Sequence, residues 1–209
     1  MSEFGLVIIG AHIGVHINKD LEEYKNQKVI LIEPVPHNLK SLKTNTIKYK
    51  NIFIEPVTIG NKNENRMFYY IKEQSIAKLG KHWASGIGSF DKQHILNHKT
   101  KRFKVRDDDI DTIKIESLTF KALCEKYQIS KIDKLQIDVE GAEYEILNSI
   151  NYKKISINKI LFEFKHFDGT FKEGEKLDLI KKKLIFNNYD LTQVDQENIL
   201  AKKNNIIYN

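Results

Sequence analysis

One cysteine, Cys124, stands among 209 residues, so no intrachain disulfide, CxxC pair or cysteine-based zinc set can form. A reducing cytosol, and hence a cytoplasmic protein, fits that count. The chain has no block of five like charges; the densest, Lys181 to Lys183, falls in a helical pattern. Its net charge of +6 is therefore read as a solvated surface rather than a nucleic-acid footprint. Long apolar runs are absent as well. Phe4 to Ile9 is the first one; Glu3 precedes it and Gly10 and His12 break it, so it reads as a buried strand, not a signal peptide or a membrane span. Internal repeats, low-complexity linkers and a second domain are missing too, and the dinucleotide spacing G-x-G-x-x-G does not occur.

What is present is an ordinary globular composition, 41% hydrophobic and 30% charged, sufficient for one α/β domain over 1–209. The stretch Lys134 to Leu147 organises the rest. Leu135 to Val139 reads as a strand and Glu140 to Leu147 as a helix, with Asp138, Glu140 and Gly141 at the junction. Acids at the carboxyl end of a buried strand mark the usual ligand side of an α/β sheet. The same acids could simply cap the helix and favour its dipole.

Upstream, Phe4 to Ile9 feeds Gly10-Ala-His-Ile-Gly14 and then a helical pattern over Val15 to Lys25. Glycines there permit a tight turn and a close approach of ligand to backbone amides. Lys28 to Glu33 is the next strand; Glu33 stands where an acid can accept hydrogen bonds from ribose hydroxyls. Further elements follow: a helix over Leu39 to Thr46, one strand over Ile52 to Ile59, and strands at Arg66 to Ile71 and Thr112 to Ile115. A helix follows Ser117 and runs to Tyr127, a strand spans Lys159 to Phe164, and a helix spans Gly174 to Phe186. Tyr189 to Val194 and Ile199 to Tyr208 close the chain as a strand pair. The rhythm breaks over 73–101, a loop insertion that carries His82, Trp83 and Ser85. It reads either as a lid contacting substrate or as an excursion with Trp83 tucked inward. Arg106 to Asp111 lacks the glycine and glutamate of a calcium loop and reads as a solvated turn; no metal set is assigned anywhere.

Three segments carry a resemblance. Gln136-Ile-Asp-Val-Glu-Gly-Ala-Glu143, Ile32-Glu-Pro-Val-Pro-His-Asn-Leu39 and Gly10-Ala-His-Ile-Gly14 are similar, in the expected order, to motifs of FkbM-type S-adenosylmethionine-dependent methyltransferases. The resemblance implies a Rossmann-like class I methyltransferase fold: a mostly parallel sheet, helices on both faces and an antiparallel C-terminal strand pair. It implies S-adenosylmethionine held by Gly10, Ala11, His12, Gly14, Glu33, Pro34, Val57, Thr58, Asp138 and Glu140. Asp138, His166 and Glu163 become the candidate catalytic groups, His166 as base. The expected activity is O-methylation of a sugar or similar small metabolite, with neither nucleic acid nor membrane as partner. The alternative is a catalytically silent cofactor-binding or scaffold module. Two departures favour it: Ile8 stands where the family carries an acid, and the first strand starts almost at Met1. A homo-oligomer could then complete the site.

Overall fold

A computed structural model describes residues 1–80, 82–98, 104–168 and 174–204, with the side chains of residues 82 and 83 outside that description. Seven strands form the principal sheet. They are β1 (Ser2–Ile9), β2 (Val29–Ile32), β3 (Ile52–Glu55), β8 (Ile129–Ile137), β9 (Ser156–Glu163), β10 (Tyr189–Gln193) and β11 (Asn198–Lys203). Their order is β10-β11-β9-β8-β1-β2-β3, parallel except for the β11 pairings with β9 and β10. This is the α/β architecture expected, including the antiparallel pair at the C-terminal end. Continuous apolar runs explain the centre: all four residues of β2 and the last six of β1 are buried, as strands covered on both faces require.

Helices α1 (Asn18–Glu23) and α2 (Pro36–Thr46) follow β1 and β2, and their side of the sheet packs on Leu6, Ile8 and Leu31. The larger core on the other side joins Val7, Ile9, Leu135 and Ile160 to α5 (Phe120–Lys126), α6 (Glu143–Ser149) and α7 (Glu175–Phe186). The strand order reverses between β1 and β8, which opens the crevice where such sheets take ligands.

The segment from β3 to α5 builds a second sheet. Strands β4 (Thr58–Gly60), β5 (Glu64–Ile71), β6 (Gly88–Ser89) and β7 (Ile110–Thr119) lie in the order β4-β7-β5-β6. Helices α3 (Glu73–Leu79) and α4 (Lys92–Leu96), and a 3-10 turn over His82–Gly86, accompany it. The single strand expected over Ile52 to Ile59 is in fact two, each in a different sheet. Pro56 has no N–H to give a ladder, and the chain leaves one sheet there for the other. The excursion therefore extends on both sides of 73–101. Two helices are also shorter than their patterns. The first, α1, spans only Asn18–Glu23, and left-handed Glu140 (φ 57°) and Gly141 (φ 111°) delay α6 to Glu143. Tyr208, the expected end of the last strand, lies outside the described residues. No helix among the described residues is long and apolar enough to cross a membrane.

Candidate active site

Strand register assembles the site. Ile9 of β1 pairs with Ile32 of β2 and with Ile137 of β8, and Ile137 pairs with Phe162 of β9. The next residue on each strand is Gly10, Glu33, Asp138 or Glu163, so four positions spread over 150 residues of sequence share one rung. Backbone bonds lock it: Gly10 N–H donates to Ile32 O at 3.0 Å and Asp138 N–H to Ile9 O at 3.0 Å. Gly10, at φ 91°, has no room for a side chain; a Cβ there would stand 1.8 Å from the Asp138 carbonyl oxygen.

A cavity of ≈ 220 Å³ opens above this rung. Gly10, Glu33, Asp138 and Glu140 form its floor. Pro34, Val57 and Thr58 line one side; Phe68, Gly86 and Phe90, from the second sheet and its 3-10 turn, line another. An adjoining cavity of ≈ 320 Å³ shares Gly10, Glu33, Asp138 and Glu140 and adds His12, Glu163, Lys165 and Glu197. The first is mainly apolar; the second is ringed by charged and polar groups.

Glu33 is buried and held by three donors. His12 N–H donates to Oε2 at 2.9 Å, Val35 N–H to Oε1 at 2.9 Å, and Asn38 Nδ2 to Oε1 at 3.4 Å. Burial nevertheless dominates, and pushes its carboxyl up to about 7. Asn38 also donates to Ser85 O at 2.7 Å, and His12 Nε2 lies 2.6 Å from Ser85 Oγ. The second sheet's 3-10 turn is thereby tied directly over the glycine loop. His82 and Trp83 begin that turn; their side chains lie outside the described part, while Ser85 touches His12 rather than lining either cavity.

Asp138 opens onto the cleft. The protein walls around it, and then the charge on Glu140, raise its carboxyl above the ordinary range. Glu163 is raised by burial and by Asp138, against the opposing pull of Lys165, whose Nζ lies 2.6 Å from Glu163 Oε1 and 3.2 Å from Glu197 Oε2. Glu143 turns back into the junction and accepts from Val139 N–H and Gly141 N–H, each at 2.9 Å. Of the three acids in the motif, this one does the structural work of shaping the turn.

Other expected residues face elsewhere. Ala11 is fully buried against Leu6 and Leu21, and Gly14 turns beside Leu42; neither lines a cavity. Ile8, where an acid was expected, packs on that same far side, away from the cleft. The His166 side chain is fully buried, and its Nε2 lies 3.2 Å from Glu140 Oε2 rather than facing either cavity. Burial, only partly offset by Glu140, lowers its imidazole to about 4. A base must border the cavity that holds its substrate, and His166 lines neither of these two. Sequence reasoning also missed His94 and His98, whose rings complete this contact. Their i, i+4 spacing was the available signal.

Comparison with known proteins adds a family. A sequence model described as the Methyltransferase FkbM domain matches residues 9–196. No curated relative matches the chain. Several solved structures follow a similar chain path. The precorrin-6y C5,15-methyltransferase of Geobacter metallireducens is 10% identical, with a TM-score of 0.46 over 97% of this chain and 82% of that one. Fibrillarin from Aeropyrum pernix, solved with natively bound S-adenosyl-L-methionine, is 10% identical, with a TM-score of 0.44 over 95% of this chain and 66% of that one. The N-methyltransferase NodS from Bradyrhizobium japonicum is 11% identical, with a TM-score of 0.42 over 97% and 86%. Likenesses this distant say nothing about the acceptor.

Proposed function

Because the chain belongs to the FkbM methyltransferase family, whose methyl donor is S-adenosylmethionine, we propose that it methylates a hydroxyl of a sugar or similar small metabolite. The observation that carries this reading is the pair of adjoining cavities with one shared floor. The apolar cavity would take the nucleoside, where Glu33 would accept from the ribose hydroxyls and Pro34, Val57 and Thr58 would lie beside the base. Gly10 would leave room for the methionine end. The polar cavity takes a hydroxyl-rich acceptor, for which Lys165, Glu163 and His12 are suitable partners.

Methyl transfer to oxygen is an in-line displacement. The acceptor oxygen forms a bond to the methyl carbon as the carbon–sulfur bond breaks, the electron pair stays on sulfur, and the hydroxyl proton goes to a base. The protein contributes alignment and exclusion of water, worth many orders of magnitude when the reacting atoms are held in contact. Asp138 is the proposed base because it borders both cavities. Glu163 and Lys165 orient the acceptor. His166 is given no direct role in proton transfer.

Calorimetry with S-adenosylhomocysteine tests the first half. Micromolar binding that Glu33→Ala abolishes is expected; millimolar binding indifferent to that change removes the reading. Labelled methyl transfer to a panel of nucleotide sugars tests the second half. Tight binding with no transfer to any hydroxyl acceptor would favour the silent binding module.

A further inference from the structure

Apart from the cavities, one cluster of side chains lacks an assigned purpose. Nε2 of His94, His98 and His166 lie 3.7, 3.3 and 3.2 Å from a single atom, Glu140 Oε2. The ring centroids are 5.0 to 5.5 Å apart, and all four donor atoms fall within 4.8 Å of one another. Three of the side chains are at most 9% exposed and Glu140 is 18% exposed. From this convergence we propose a transition-metal site, His94-His98-His166-Glu140, that takes a divalent ion of the zinc class.

Bond lengths support it. Zinc bonds of ~2.0–2.1 Å in a tetrahedron set neighbouring donor atoms about 3.3–3.4 Å apart. The three spacings from Glu140 Oε2 bracket that value. Three imidazoles and a carboxylate, with no thiolate, suit zinc and its first-row neighbours and not calcium or magnesium.

Hydrogen-bond direction supports it independently. His98 Nδ1 lies 3.0 Å from the His94 carbonyl oxygen, which can only accept, so Nδ1 holds a proton. Nε2 of the neutral ring then aims a lone pair at a carboxylate oxygen. Such a contact repels unless a proton or a cation lies between. One divalent ion satisfies the four donors together. The His98–carbonyl bond is also the orienting contact that metal-bound histidines commonly make through their second nitrogen.

Placement gives the site a consequence. His94 lies on α4 and His98 just beyond it, both in the excursion; Glu140 follows β8 and His166 follows β9. A bound ion would staple the excursion across the crevice to the principal sheet. Because Glu140 also borders both cavities, the staple would hold that wall in place.

The proposal does not depend on methyl transfer, and its test uses binding readouts alone. Metal-stripped full-length protein is titrated with Zn²⁺ against a chromophoric chelator, and Co²⁺ is added as a visible reporter of geometry. One ion per chain at submicromolar affinity is expected, with the intense visible bands of low-symmetry four-coordinate Co²⁺. His94→Ala/His98→Ala weakens Zn²⁺ binding more than about a hundredfold, since losing a group that merely orients a ligand already costs ~10–100-fold. His37→Ala leaves it unchanged. Zn²⁺ also raises the melting temperature of the wild type and not of the double variant. Absence of stoichiometric Zn²⁺ binding by the wild type, an octahedral Co²⁺ spectrum, or undiminished binding by the double variant overturns the assignment. The wild-type measurements can overturn the assignment even if the double variant does not fold.

Discussion

Strand β2 buries every residue, whereas β7, more than twice as long, buries three of ten. The contrast extends to their sheets. The seven-stranded sheet is covered on both faces at its centre, and its strands are written in Val, Ile and Leu. The four-stranded sheet has an open face, with Asn65 and Met67 of β5 exposed on it. The first fixes positions by register; the second supplies a wall. Both are needed for a cleft, because the principal sheet alone offers only a row of strand ends.

The largest effect should come at the shared rung. Gly10→Val places a branched side chain at φ 91° against the Asp138 carbonyl, and should cost about 4 kcal/mol or more together with all cofactor binding. Urea unfolding and calorimetry would show it. Next is a paired test of the two sheets. Ile160→Ala, in β9 and fully buried, should lose ~2–5 kcal/mol; Ile113→Ala, in β7 and only half-buried, should lose about 1. Equal losses would mean that the second sheet is as much a core as the first.

Glu33 gives a pH test of comparable size. Its carboxyl sits near 7 when folded, against 4.5 for the ordinary group. Between those values the folded chain holds a proton that the unfolded chain has released, so stability falls as pH rises through the window, by about 3 kcal/mol in all. Cofactor affinity should move oppositely, rising about tenfold per pH unit below 7 as the acceptor carboxylate forms. Glu33→Gln should flatten the stability slope and remove the rise in affinity. The smallest effect is expected in the wall: Phe90→Ala removes an edge contact to Phe68 (centroids 5.5 Å) and a stacked Arg66 guanidinium at 3.7 Å. It should cost ~1 kcal/mol of stability and weaken cofactor binding several-fold.

The same contrast explains what the sequence made legible. Phe4 to Ile9, Lys28 to Glu33 and Leu135 to Val139 are apolar runs that only a doubly covered sheet requires, and each delivers its site residue one step past the strand end. The motifs then needed no geometry beyond the register. The second sheet was visible only in part, because half-exposed strands mix polar and apolar residues and because Pro56 hides a change of sheet inside one apolar stretch. His94 and His98 escaped for a related reason. They stand more than forty residues from Glu140, and nothing local indicates that α4 crosses the cleft. His166 was readable as a strand-end residue, but its burial came from those two unseen rings.

Five residues belong to both chambers of the cleft: Gly10, Glu33, Gly86, Asp138 and Glu140. Occupying either chamber therefore alters the surface that its neighbour presents. Two ligands meeting at such a common partition cannot be recognised independently, so donor and acceptor should load in a preferred sequence, and spent donor should hinder the acceptor as well as fresh donor.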